Sequence, residues 1–196
     1  MGTTKRRKFV FYSEKLVEAF AYAMKIHKDQ KKMGHPILSH VLDVVSLIIH
    51  FQGDEDAVIA GMLHDTRERA PASVMEEIRE RFGEHVATIV DVCSDLPDIP
   101  WDENKKRRIE LLAQMDRAAL LVASCEVLSN AKRLLFRLHA AKDKRNIFTY
   151  LRKKGGIAGK LWYYRTFSDA FSKHNEYPNV RYELQVVVKE LENLIY

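Results

Sequence analysis

The dipeptide His64-Asp65 closes the apolar run Ala57–Leu63, which sets two polar side chains against a core. Left unsatisfied there, each costs roughly 1–3 kcal/mol. A divalent metal ion answers both at once, taking an imidazole nitrogen and a carboxylate oxygen. Hydrogen bonds inside an ordinary helical core are the alternative. His40 lies 24 residues earlier, at the head of the apolar segment Val41–Ile48, so its side chain can point into the same core. A fourth ligand should come from the long apolar stretch after Arg117, where Glu126 is the only acidic residue. A carboxylate embedded there is expensive unless it is paired or bound to a metal.

The elements that must position these residues read with helical spacing throughout. Ser13 is a plausible N-cap for a helix carrying Leu16, Phe20 and Met24, which should fade in Lys28–Lys32 and stop at Gly34-His35-Pro36. Ile37–Phe51 follows with Val41, Val44, Val45 and Ile48 on one face. Asp56–Thr66 is so apolar that burial on all sides is expected. Ser73, with Glu76 and Glu77 behind it, predicts a capping box for Val74–Phe82, and Gly83 restarts the chain into Glu84–Ser94. Leu96–Pro100 is a loop. Asp102–Gln114 and Arg117–Leu138 are two more helices, and Gly155-Gly156 breaks the basic stretch Lys142–Lys154 before Leu161–His174 and Val180–Ile195. No segment alternates as a strand does, and no repeat is present. The expected fold is therefore all-α, a single-domain helical bundle of roughly eight to ten helices. Residues 1–12 read as a basic, potentially flexible N-terminal segment ahead of a helical domain over 13–196.

With 196 residues, 46% apolar side chains and only eight glycines and five prolines, the chain is neither collagen-like nor disordered. No stretch approaches the ~18 uninterrupted apolar residues of a membrane span, so no membrane partner is expected. Cys93 and Cys125 sit in apolar contexts without CxxC spacing and read as small buried hydrophobes of a reducing, cytoplasmic environment. The net charge is +5, but residues 101–160 alone hold 15 basic and 6 acidic side chains. A block of that kind suits a phosphorylated or polyanionic partner, although a solvated helix face carries the same composition. Gly155-Gly-Ile-Ala-Gly-Lys160 is not a phosphate loop, because Lys154 occupies the position of its first glycine and no strand precedes it. Trp162-Tyr163-Tyr164 reads as core, and His27, His35, His50, His85, His139 and His174 as structural or surface residues.

The order His40, His64-Asp65 and a late-helix carboxylate resembles that of HD-domain metal-dependent phosphohydrolases, and more narrowly the RelA/SpoT-type, small alarmone hydrolase-like branch. The stretches AYAMKIHKDQKKMGHPILSH (21–40), AGMLHDTRERAPASVMEEIRERFGEHVATIVD (60–91) and LLVASCEVLSNAKRLL (120–135) carry the resemblance, and LWYYRTFSDAF (161–171) resembles a tail segment of stand-alone members. It implies a helical bundle of the HD-domain type in which His40, His64 and Asp65 hold a divalent metal, most simply Mn²⁺, with Fe²⁺ or Zn²⁺ as alternatives. Glu126 stands where the family has its final Asp, and Lys31 and Lys32 fall in the basic pair that contacts the nucleotide in relatives. Glu68 matches the first carboxylate of the family's Glu-Asp pair, and Asn130 matches the Asn of the late helix. The chain departs from the pattern at Arg69, which replaces the second carboxylate of that pair, at Ser129 for a His, and at Ile37 for a Tyr.

The resemblance implies hydrolysis of a phosphorylated small-molecule nucleotide, with (p)ppGpp losing its 3′-pyrophosphate as the substrate of that branch. Glu68 would orient or deprotonate the attacking water, and Lys31, Lys32 and Arg69 would neutralise phosphate charge. Two other readings stand beside it. One is a catalytically weakened HD-fold protein that binds a nucleotide or, less favoured, a nucleic acid through the basic block. The other is a 5′-nucleotidase-type HD enzyme.

Overall fold

The computed structural model describes residues 13–32, 34–68, 70–71 and 73–195. The expected N-terminal segment 1–12 and Arg69 lie outside the described residues. Helix α1 (Glu14–His27) starts where its cap predicts, with the Ser13 hydroxyl accepting the Leu16 amide at 3.1 Å. Helix α2 (Ile37–His50) buries Val41, Val44, Val45 and Ile48 on one face, as their spacing requires. Asp54 caps helix α3 (Glu55–Leu63), accepting the Ala57 amide at 3.0 Å, and every residue from Ala57 to Leu63 is buried.

Around α3 pack α1, α2, α5 (Glu84–Cys93) and α7 (Arg117–Ala140), which explains why it has no polar face. Burial of an aliphatic side chain such as Ile59 or Leu63 contributes roughly 1.5–3 kcal/mol relative to exposure. Gly61 permits the close approach of α2, because a Cβ there would run into the Ile48 side chain. Helix α4 (Val74–Phe82) lies against α5; α6 (Trp101–Leu111) and α8 (Arg145–Leu151) lie against α9 (Gly156–Phe171); and α10 (Pro178–Ile195) covers α7 and α9. The all-α expectation holds, with ten α-helices among the described residues.

Three local expectations fail. Ser73 is helical itself and its side chain makes no capping bond; the turn closes through the Val74 amide and the Pro71 carbonyl at 2.9 Å. A two-residue antiparallel ladder joins β1 (Lys31–Lys32) to β2 (His35–Pro36), too short for any alternation to register in sequence. Helix α9 begins at Gly156 instead of Leu161, since Gly155 and Gly156 absorb the break at φ 81° and 66°. A side chain at Gly155 would meet the Trp101 ring, so this glycine also serves the contact of α6 with α9.

Candidate metal centre

Helix α3 delivers His64 and Asp65 at its C-terminal end, and the first turn of α2 delivers His40. All three are essentially inaccessible to solvent. The His64 Nδ1 lies 2.8 Å from the Gly61 carbonyl oxygen. A carbonyl only accepts, so Nδ1 carries the hydrogen and Nε2 keeps its lone pair. That Nε2 lies 3.3 Å from His40 Nε2 and 3.5 Å from Asp65 Oδ1. The other nitrogen of His40, Nδ1, is 3.4 Å from Ser129 Oγ on α7. Ligand atoms of His40, His64 and Asp65 thus converge within 4.8 Å of one another. Two imidazole nitrogens and one carboxylate oxygen facing a common point fit a divalent transition metal, with backbone and hydroxyl partners orienting the rings from behind.

Glu126 is not a member of that group. It is buried on α7, but its Oε2 accepts from the Arg108 guanidinium and its Oε1 accepts from Asn130 Nδ2 at 2.9 Å. Burial by itself would push this carboxyl up, yet Arg108, assisted by Lys105, holds it well below the usual carboxylate range. Arg108 shows the mirror image: burial opposes its charge and Glu126 more than restores it. The carboxylate expected as the fourth ligand is therefore engaged by a cation in this structure.

The remaining sequence candidates are more dispersed. Lys31 is exposed on the ladder before α2, and Lys32 pairs beside it, its side chain lying outside the described residues. Glu68 is exposed just after Asp65, and its Oε1 accepts the Asp95 amide at 3.2 Å. Asn130 acts on Glu126. Of the basic block, Lys105 and Arg108 point inward, where Lys105 meets both oxygens of Asp95 at 2.7 and 2.6 Å.

Sequence reasoning saw Arg108 only as one charge in a basic run. The signal that could have found it is Glu126, whose burial demands either a cation or a metal. Helix α6 gives no apolar phase from which to read that Asn104, Lys105 and Arg108 face inward. Ser129, met above only as a departure from a pattern, is the hydroxyl behind His40.

A cavity of ≈ 670 Å³ opens between α2 and α7, and none of the three triad residues lines it. Ser129 belongs to its wall, which connects it to His40. Ser39, Asp43 and Leu47 line one side and Lys132, Arg133 and Phe136 the other. Arg133 bonds Asp43 at 2.5 Å and Lys132 bonds Glu183 at 2.6 Å, so these cations are anchored at the cavity.

Comparison with known proteins agrees with the geometry. Residues 19–158 match the family described as HD domain. A guanosine-3′,5′-bis(diphosphate) 3′-pyrophosphohydrolase of Aquifex aeolicus (strain VF5) is 32% identical over 156 residues, covering 74% of this chain and 22% of that protein. A probable guanosine-3′,5′-bis(diphosphate) 3′-pyrophosphohydrolase of Synechocystis is 26% identical over 178 residues, covering 85% and 23%. The chain thus spans under a quarter of the length of these relatives. Among solved structures, one described as a metazoan ortholog of SpoT that hydrolyzes ppGpp superposes with a TM-score of 0.76 at 21% identity, covering 95% of this chain and 99% of that one. The protein lmo0812 of Listeria monocytogenes gives a TM-score of 0.66 at 22% identity, covering 76% and 96%. At these identities the two structures speak for the fold.

Proposed function

The chain belongs to the HD-domain family, and from that premise we propose that it is a metal-dependent phosphohydrolase acting on a phosphorylated nucleotide. We take (p)ppGpp, losing its 3′-pyrophosphate, as the substrate to test first, following the named activity of the Aquifex relative. The observation that carries the reading is the buried triad His40, His64 and Asp65, with two Nε2 atoms 3.3 Å apart. Those residues would hold the ion, and Mn²⁺ is the species proposed, with Fe²⁺ and Zn²⁺ as alternatives for the same donors. Such an ion makes a water nucleophilic near neutral pH and polarises a phosphoryl oxygen.

The protein's own part is positioning and charge. The Gly61 carbonyl and the Ser129 hydroxyl fix the two imidazoles. Glu68, which accepts the Asp95 amide, would orient or deprotonate the attacking water. Lys31, Lys32 and Arg69 would counter phosphate charge as it develops. The ≈ 670 Å³ cavity falls in the range of small-molecule sites and would take the rest of the nucleotide, with Phe136 offering a ring face. Cys93 and Cys125 are free thiols, which supports the reducing, cytoplasmic setting proposed here. Among the described residues no helix is long and apolar enough to cross a membrane.

Purified chain loaded with Mn²⁺ should release pyrophosphate from ppGpp in preference to nucleoside triphosphates and deoxynucleoside monophosphates. Turnover of the monophosphates alone would point to a 5′-nucleotidase. No turnover of any, with metal bound, overturns the enzymatic reading. The engagement of Glu126 by Arg108 favours one second reading, a nucleotide binder with weakened catalysis. It predicts calorimetric binding of ppGpp without hydrolysis.

A further inference from the structure

Glu126 has two possible partners, an ion at the His40–His64–Asp65 triad and the guanidinium of Arg108. In this structure both of its oxygens are taken by protein donors, Arg108 on one side and Asn130 on the other. Arg108 comes from α6, 18 residues earlier in the chain, and at 1% exposure it is among the most deeply buried large side chains. Its Nε has no hydrogen-bond partner, and Glu126 is the carboxylate its guanidinium pairs with. The neighbouring cation Lys105 is already matched by Asp95. Glu126 lies one helical turn before Ser129 on α7, and the Ser129 hydroxyl is 3.4 Å from His40 Nδ1, so the carboxylate and the triad share one side of that helix. Neither member of this pair exchanges it for solvent cheaply, because a lone buried charge is far more costly than a lone exposed one.

Resting on the metal reading above, we propose that Arg108 sets the cation affinity of the centre by competing with the ion for Glu126. With Arg108 in place the ion is held by His40, His64 and Asp65, and Glu126 is withheld. The pair adds no net charge to the site, so the centre behaves as a three-ligand site flanked by a neutral couple. Removing the guanidinium would release a carboxylate beside the triad and turn it into a four-ligand site. Arg108 is thus a positioning residue that acts through Glu126 on how tightly the metal is held.

Isothermal titration of the metal-free chain with Mn²⁺ tests this directly, with a chelator competition as a second measure. Arg108→Met should bind Mn²⁺ at least tenfold more tightly than wild type, a change of about 1.4 kcal/mol or more. The double variant R108M/E126Q, which replaces the couple by neutral groups, should stay within about threefold of wild type on the same free-energy scale. Arg108→Lys, which keeps a cation opposite Glu126, should also stay near wild type.

If folded R108M binds no more tightly, or more weakly, the inference is overturned. If R108M fails to fold, the double variant decides: a loss beyond tenfold would mean that Glu126 already serves as a ligand, which overturns the proposal. Exchange of a buried pair for uncharged groups is commonly tolerated, so this variant is expected to fold. The two layers separate cleanly. Wild type binding Mn²⁺ with R108M unchanged removes only the role of Arg108. Neither protein binding any Mn²⁺ removes the metal centre as well.

Discussion

Replacing His85 by glutamine should loosen the joint between the starts of α3 and α7, and only while the imidazole is charged. In the native protein Nδ1 of His85 meets Asp56 Oδ2 and Nε2 meets Asp116 Oδ2, both at 2.7 Å. A ring that serves two carboxylates through its two nitrogens must donate from both, which imidazolium alone can do. Asp56 lies in the first turn of α3 and Asp116 caps α7, so the staple joins the helices whose later turns carry His64-Asp65 and Glu126.

The hydrogen bonds that His85 donates to Asp56 and then to Asp116 raise its pKa, with partial burial opposing them. A folded pKa above the unfolded value means that the staple stabilises fully below the ordinary histidine pKa of about 6.5. The contribution is lost as the pH rises through the higher folded value. On the acid side, burial pushes the Asp116 carboxyl up, but the Ala119 amide and His85 outweigh it and hold it low. The staple therefore persists until the pH falls through the depressed carboxyl value.

The magnitude must be discounted for solvent, because the His85 side chain is 46% exposed and its partners 37% and 53%. Exposed pairs contribute roughly 0.2–1 kcal/mol each, so two give about 1 kcal/mol. For a chain of this length that is about 2–4 °C in Tm. Scanning calorimetry of wild type and His85→Gln at low salt should show this deficit near pH ~6 and none near pH ~9. It should also shrink as salt is added. A deficit of equal size at both pH values, or one growing with pH, would refute the charged staple.

Other expectations can be checked with equally simple measurements. Asp65→Asn should reduce Mn²⁺ retained after dialysis to a small fraction of the wild-type content by elemental analysis, since it removes the only carboxylate of the triad; undiminished metal would place the ion elsewhere. Gly155→Ala should destabilise the fold by roughly 1–3 kcal/mol in urea, from the left-handed backbone and the contact with Trp101, and a neutral result would mean that this corner relaxes freely. Burial pushes the Cys93 thiol up to about 12 and that of Cys125 higher still. Neither should react with an aromatic disulfide reagent at neutral pH until denaturant is added, and fast native reaction would contradict their burial.

Much of the frame was legible before any coordinates, because helical order is a local matter. Ser13 announces its helix start; Val41, Val44, Val45 and Ile48 repeat at the helical spacing and form one buried face. The unbroken apolar run Ala57–Leu63 required burial on all sides, and four surrounding helices supply it. His64-Asp65 stood out for the same reason, as polar residues closing such a run, and His40 opens the neighbouring helix of the same core. Residues within one or two turns determine all of this, through bonds and contacts spanning three or four positions.

The partner of a buried charge is decided differently. Glu126 demanded a metal or a cation, and only the approach of α6 to α7 selects Arg108, from a helix that is polar at nearly every position. Likewise Ser129 is unremarkable on α7 until α2 brings His40 to within 3.4 Å. Such choices depend on how separate helices cross, at distances where no local period reaches. The sequence by itself therefore determined the helices and singled out His40, His64 and Asp65, while the tertiary packing decided that the buried Glu126 pairs with Arg108.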